Sequence, residues 1–156
     1  MNERQAEQAQ GPRDEQRSAP PSRDQPTDDQ LSALLQIAPF HHWLGLKLLD
    51  RSEDQLTIGM PWRDEIVSNT KLPAVHGGIL SSLIDLTGLY SILAVGGIAR
   101  ATADLHIDFH RPATPGLLRA VGRPVKLGRQ ISVAEVKVID EGERLLASGR
   151  GAYVGG

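Results

Sequence analysis

Cysteine is absent from the 156 residues. That excludes disulfides, thiolate metal sites and a cysteine nucleophile, and it suits a reducing cytoplasm, the expected location. Aromatic residues make up only 4% of the chain, so the core must be mostly aliphatic. Neither sign of charge dominates: 17 Lys and Arg stand against 19 Asp and Glu, a formal net charge of -2. No basic excess points to nucleic acid as a partner, and no acidic block forms a solvating tail. Also missing are a Gly-x-Ser-x-Gly elbow, a phosphate-binding P-loop and a Gly-x-Gly-x-x-Gly run, each of which would announce a specific chemistry.

The first 26 residues lack Leu, Ile, Val and every aromatic residue. Such a segment cannot bury enough apolar surface to offset the entropy of ordering it, so 1–26 reads as a disordered tail. It holds no apolar run of the kind a signal peptide needs. The remainder, 27–156, is long enough for one domain with its own core. From Ile79 to Ala99 the only charge is Asp85, and the length nearly spans a bilayer. A central Asp costs roughly 2.5–3.5 kcal/mol on insertion, and Gly, Ser and Thr weaken the segment further. A helix buried on all sides within a globular domain is expected, with no membrane partner.

Thr27 and Gln30 have capping-box spacing ahead of Leu31, Leu34 and Leu35, which predicts a short helix that stops near Pro39. Strands are expected at 44–50 and 55–60, joined by a turn at Arg51–Asp54. The long helix opens at His76-Gly77-Gly78, buries Ile79, Leu83, Leu86, Tyr90 and Leu93, and ends at Gly96-Gly97. Next, Thr102, Asp104, His106, Asp108 and His110 alternate strictly with Ala103, Leu105, Ile107 and Phe109. Period two means one face on a core and one on something polar. Three more strands are predicted near 117–127, 131–139 and 144–154. Hairpin-length links imply an α+β fold in which a largely antiparallel sheet curls around one long apolar helix.

Two places stand out chemically. The first N–H groups of a helix have no internal partner and lie at its positive end. Gly77 and Gly78 let a substrate approach them, so an oxygen gaining negative charge is stabilised there. Taken alone, the same residues read more readily as a turn before a helix, with His76 a satisfied loop histidine. Asp85 is the second place: a carboxylate among Leu83, Ile84 and Leu86 is costly unless paired or used. Gly77 and Asp85 are roughly 12 Å apart along a helix axis. A base or nucleophile must come within about 3 Å of its target. One chain cannot bring both groups to one reacting carbon, whereas two antiparallel helices from two chains can. His41-His42 read as loop surface. His106 and His110, with Asp104 and Asp108, have a spacing that suits a solvated or interface face better than a metal site, and no metal or other cofactor is expected.

These residues resemble a known family. The run Val75-His76-Gly77-Gly78-Ile79-Leu80-Ser81-Ser82-Leu83-Ile84-Asp85 resembles the signature of PaaI-type hotdog acyl-CoA thioesterases. The strand from Ala101 to Ala113 resembles the strand that follows the helix in that family, and the likeness extends from about Phe40 to Val154. It implies a hotdog fold and hydrolysis of acyl-coenzyme A. The Gly77 N–H would polarise the thioester carbonyl, His76 would order that end of the site, and Asp85 of the partner chain would act as general base or nucleophile. Thr102 would help position the water or the carboxylate. Relatives often carry Asn six residues before the His, where this chain has Thr70; a one-residue loop insertion would restore Asn69 to the role. The resemblance also implies homodimers, usually paired into tetramers. Gly78 would border the substrate, with the coenzyme A phosphates among Arg111, Lys126 and Arg129. A non-catalytic acyl-CoA-binding module is the alternative. A hotdog dehydratase would need an Asp/His pair on a different pattern.

Overall fold

The computed structural model describes residues 24–69, 71 and 73–155, so most of the predicted tail lies outside the described residues. Helix α1 covers Asp28–Ile37 and begins with the predicted capping box. The Gln30 N–H donates to Thr27 Oγ1 at 3.2 Å, and the Thr27 N–H donates back to Gln30 Oε1 at 2.8 Å. Pro39 does not simply stop this helix. It occupies the first turn of a second one, α2 (Pro39–Leu44), where a missing N–H costs nothing. Gly45, at φ 67, ends α2 in the left-handed region. His41 and His42 are therefore helical rather than loop residues, and His41 Nδ1 lies 3.2 Å from the Leu35 carbonyl oxygen, its ring edge-on to Tyr90.

The strands are β1 (Lys47–Arg51), β2 (Leu56–Met60), β3 (Ala101–Phe109), β4 (Leu118–Lys126), β5 (Ile131–Ile139) and β6 (Leu145–Val154). They form one six-stranded sheet in the order β1-β2-β4-β5-β6-β3, antiparallel throughout. Helix α3 (Gly77–Ala94) lies against β2 through β6, and the sheet wraps around it. It is long and apolar enough to cross a membrane, yet most of its residues are buried inside the fold. Leu83, Ile84, Ile58, Met60, Val136 and Val138 are among the fully enclosed core residues. Truncating one such side chain to Ala costs about 2–5 kcal/mol. Helix and sheet approach closely at Gly122, where a Cβ would stand 2.9 Å from Thr87 Cγ2. Ile79 and Leu93, expected in the buried stripe, are only half-buried, because α3 keeps one face open.

Among the described residues, strand β3 is an edge strand, paired with β6 alone. Its alternation is interrupted once. Thr102 pairs with Tyr153 and Asp104 with Ala152, so Ala103 is an extra residue in β3. Such a bulge reverses the facing of everything on one side of it. Leu105 and Ile107 pack on the core, leaving Asp104, His106 and Asp108 facing outward. Thr102, by pattern a member of that polar set, is turned to the helix side instead.

Candidate active site

His76 is the N-cap of α3, and its Nδ1 accepts the Gly78 N–H at 2.9 Å. That bond fixes the ring as the Nε2–H tautomer when neutral. The entry to the helix is held on its other side as well. The His76 N–H donates to the Ile66 carbonyl at 2.8 Å, and the Val75 N–H to the Ala113 carbonyl at 3.1 Å. Among the described residues, no acceptor takes the Gly77 N–H. Of the two glycines expected at a substrate, Gly78 therefore spends its donor on His76, and only Gly77 keeps one to offer. The Phe109 ring lies alongside, 3.4 Å from where a Gly77 Cβ would be. An open groove of about 350 Å³ runs past Gly77, Leu80, Phe109, Arg111 and Ala113.

Asp85 sits two turns further along α3, half-buried. The Thr102 hydroxyl donates to its Oδ1 at 2.6 Å, the contact that the β3 bulge makes available. A second residue, missed from the sequence, holds the backbone at the same point. The buried Tyr153 donates its hydroxyl to the Asp85 carbonyl oxygen at 2.9 Å. Its ring fits only because two neighbours are glycines: a Cβ on Gly88 would come within 2.1 Å of the phenol oxygen, and one on Gly151 within 2.3 Å. Burial, and secondarily the Asp85 charge, push the Tyr153 phenol well above its usual range, so it remains a donor. The only sequence signal for Tyr153 is a lone aromatic flanked by Gly151 and Ala152 in a strand.

Among the described residues Asn69 forms no hydrogen bond with Gly77. Its Oδ1 accepts the Lys71 N–H at 2.9 Å, closing a local turn in the loop before the helix. Thr70, the other candidate for that role, lies outside the described residues. His106 and Asp108 face each other at 3.7 Å on the outer sheet surface, and His110 Nε2 lies 2.8 Å from Ser148 Oγ. Among the described residues no cluster of His, Asp and Glu has the makings of a metal site.

Residues 72–147 match the family model described as the thioesterase superfamily. A solved member of that superfamily is 38% identical, with a TM-score of 0.75 over 80% of this chain and 94% of its own. The chain belongs to the thioesterase superfamily. The Escherichia coli PaaI protein, from the phenylacetic acid degradation operon, superposes with a TM-score of 0.70 at 25% identity, covering 80% of this chain and 89% of PaaI. The E. coli medium/long-chain acyl-CoA thioesterase YigI is 23% identical over 135 residues, 76% of this chain and 86% of YigI. The protein is thus a hotdog-fold thioesterase with the sheet and central helix of that superfamily.

In this thioesterase the three basic residues singled out for phosphate do not lie together. Arg111 follows β3 and donates through Nη1 to the Leu145 carbonyl at 3.0 Å, at the Gly77 end of the molecule. Lys126 and Arg129 flank the β4–β5 turn, beside the opposite end of β5. The length of β5 separates the two ends, roughly 27 Å at about 3.4 Å per residue. One chain cannot bring all three to one phosphate group.

Proposed function

We propose that this thioesterase hydrolyses acyl-coenzyme A to the free acid and coenzyme A, at two equivalent sites shared between the chains of a homodimer. The observation that carries the reading is the division along α3. A Gly77 N–H without an acceptor among the described residues opens the helix, and a carboxylate held by Thr102 stands two turns on, roughly 12 Å away. Neither group completes a thioester site alone. Antiparallel packing of two α3 helices sets the partner's Gly77 opposite Asp85, and the symmetry centre then falls at Ser81. The thioester oxygen accepts from the partner's Gly77 N–H as negative charge grows on it. Asp85 either takes a proton from the attacking water or attacks the carbonyl carbon itself, giving an anhydride that water cleaves. In both cases the C–S bond breaks and coenzyme A leaves as the thiolate, which takes up the proton that the reacting water gives up.

The same pairing brings the Arg111 end of one chain toward the Lys126 and Arg129 end of the other, which suits a single phosphate-rich ligand bound across both. The likeness to YigI, a medium/long-chain acyl-CoA thioesterase, supports acyl-CoA as the substrate class. Pairing of dimers into a tetramer and a cytoplasmic location belong to the same reading. The alternative, an acyl-CoA-binding module without catalysis, leaves the free Gly77 N–H and the fixed carboxylate unused. A panel of acyl-CoAs with a thiol reagent separates the two. Asp85→Asn then tests the mechanism: kcat should fall by at least about 10²-fold while acyl-CoA still binds. A fully active Asp85→Asn enzyme would refute the assignment.

A further inference from the structure

One row of α3 continues past the carboxylate. Asp85, Leu89 and Leu93 follow each other at four-residue spacing and so share a face. All three are half-buried, whereas Leu86, Thr87, Gly88, Tyr90, Ser91 and Ile92 around them are buried. The row ends at an apolar pocket of about 470 Å³, in the size range of small-molecule sites. Leu93, Gly96 and Gly97 lie on one side; Pro26, from the segment entering α1, and Leu31 and Leu34 of α1 lie on the other. Helix α1 is thus the outer wall of a cleft whose inner wall is the end of the central helix.

We infer that this row and pocket bind the acyl chain of the substrate, and that they select chains of about ten carbons. The inference rests on Asp85 being the carboxylate at the thioester. From Asp85 to Leu93 the helix rises roughly 12 Å. An extended hydrocarbon with bonds of about 1.5 Å in zigzag covers that distance with ~10 carbons. Among the described residues that line the pocket, Asp24, Gln25 and Gln30 are the polar ones and none is Lys or Arg, which suits a hydrocarbon better than a phosphate. In the paired arrangement the partner's α3 begins level with Asp85, so it does not cover Leu89 or Leu93. An acyl chain covering these leucines gains about 25 cal/mol for each Å² of apolar surface removed from water. A chain of two to four carbons stops short of the pocket and gains none of this from it.

The test measures kcat/KM for butyryl-, decanoyl- and hexadecanoyl-CoA in the full-length protein. The decanoyl thioester should be the best of the three. Leu93→Trp fills the pocket from the helix side, and Leu34→Asp charges its exposed wall with little effect on the core. Each should lower the decanoyl-to-butyryl ratio of kcat/KM by at least ten-fold. A ratio unchanged in Leu34→Asp, or a wild-type enzyme fastest on butyryl-CoA, overturns the inference. Binding of free decanoic acid to Asp85→Asn protein, followed by calorimetry, separates this idea from the one beneath it. If Asp85→Asn hydrolyses normally but Leu34→Asp still abolishes decanoate binding, the carboxylate assignment fails and the pocket stands. If decanoate binds Leu34→Asp as tightly as its parent, the pocket assignment fails whatever Asp85 does.

Discussion

The start of α3 and its middle are built on opposite plans. At the start, the chain leaves something unfinished: His76 satisfies Gly78, and the Gly77 N–H has no acceptor among the described residues. In the middle, groups from two strands converge on one residue. Thr102 from β3 takes the Asp85 carboxylate, and Tyr153 from β6 takes its carbonyl. An electrophilic pocket works by presenting an unpaired donor, so satisfying that donor internally would weaken it. A base or nucleophile works by being aimed, so bonds that restrict its motion help it. The lesson is that one helix carries two groups with different physical requirements, which the proposed dimer would join into one site.

The sharpest way to break this comparison is to remove only the free donor. Gly77→Pro does so: proline is favoured at the first helical position, and His76 at ψ 132 is already in the conformation that precedes proline. Steady-state assays should show kcat reduced about 10²–10³-fold at nearly unchanged melting temperature. Gly77→Ala keeps the N–H and should retain far more activity. A purified mixed dimer of Gly77→Pro and Asp85→Asn chains has one intact site of two and should recover about half the wild-type rate. No recovery would place both groups in one chain and remove the shared site.

The aiming contacts should matter less than the groups they aim. Thr102→Val removes the bond to the Asp85 carboxylate and should lower kcat about ten-fold with KM little changed. Tyr153→Phe removes a bond to the backbone only and should lower kcat by a smaller factor. An equal loss in both would mean that helix position, not carboxylate orientation, limits the rate. Replacing Arg111 by Gln, or Lys126 and Arg129 together by Gln, should raise KM for acyl-CoA but not for short acyl thiols. Equal effects on both substrates would make these residues structural.

The smallest effect concerns alkaline stability. The Tyr153 phenol is raised above its ordinary value of 10.0 in the folded state, by burial first and the Asp85 charge second. Its contribution to stability is therefore complete below pH 10 and declines as the pH rises from there toward the folded value, because only the unfolded chain releases the proton readily. Denaturant melts between pH 9 and 11 should show a weaker decline in Tyr153→Phe. An identical decline in both proteins would mean that Tyr153 is not held neutral in the fold.

Local signals in the sequence carried most of the fold. Thr27 and Gln30 specify the start of α1, and both bonds of the capping box are formed. The apolar run after His76-Gly77-Gly78 becomes the central helix, and the turn residues at 52–55, 127–130 and 140–143 separate the strands near the expected places. These features depend on neighbours a few residues apart, so periodicity and cap chemistry suffice. The first helix stops just before Pro39 as expected, but that Pro39 also begins α2 was not legible, because a proline that ends one helix can equally begin the next and only the packing of α1 on α2 decides. The tertiary structure alone decided what surrounds Asp85. Strict alternation put Thr102 with Asp104 and His106, but one extra residue at Ala103 turned it to the helix. Tyr153 lies 68 positions from Asp85, and its ring fits only against Gly88 and Gly151. Strand register and close backbone approach are properties of paired elements rather than of any one segment, so the chain could announce a carboxylate in an apolar helix but not the two strands that hold it.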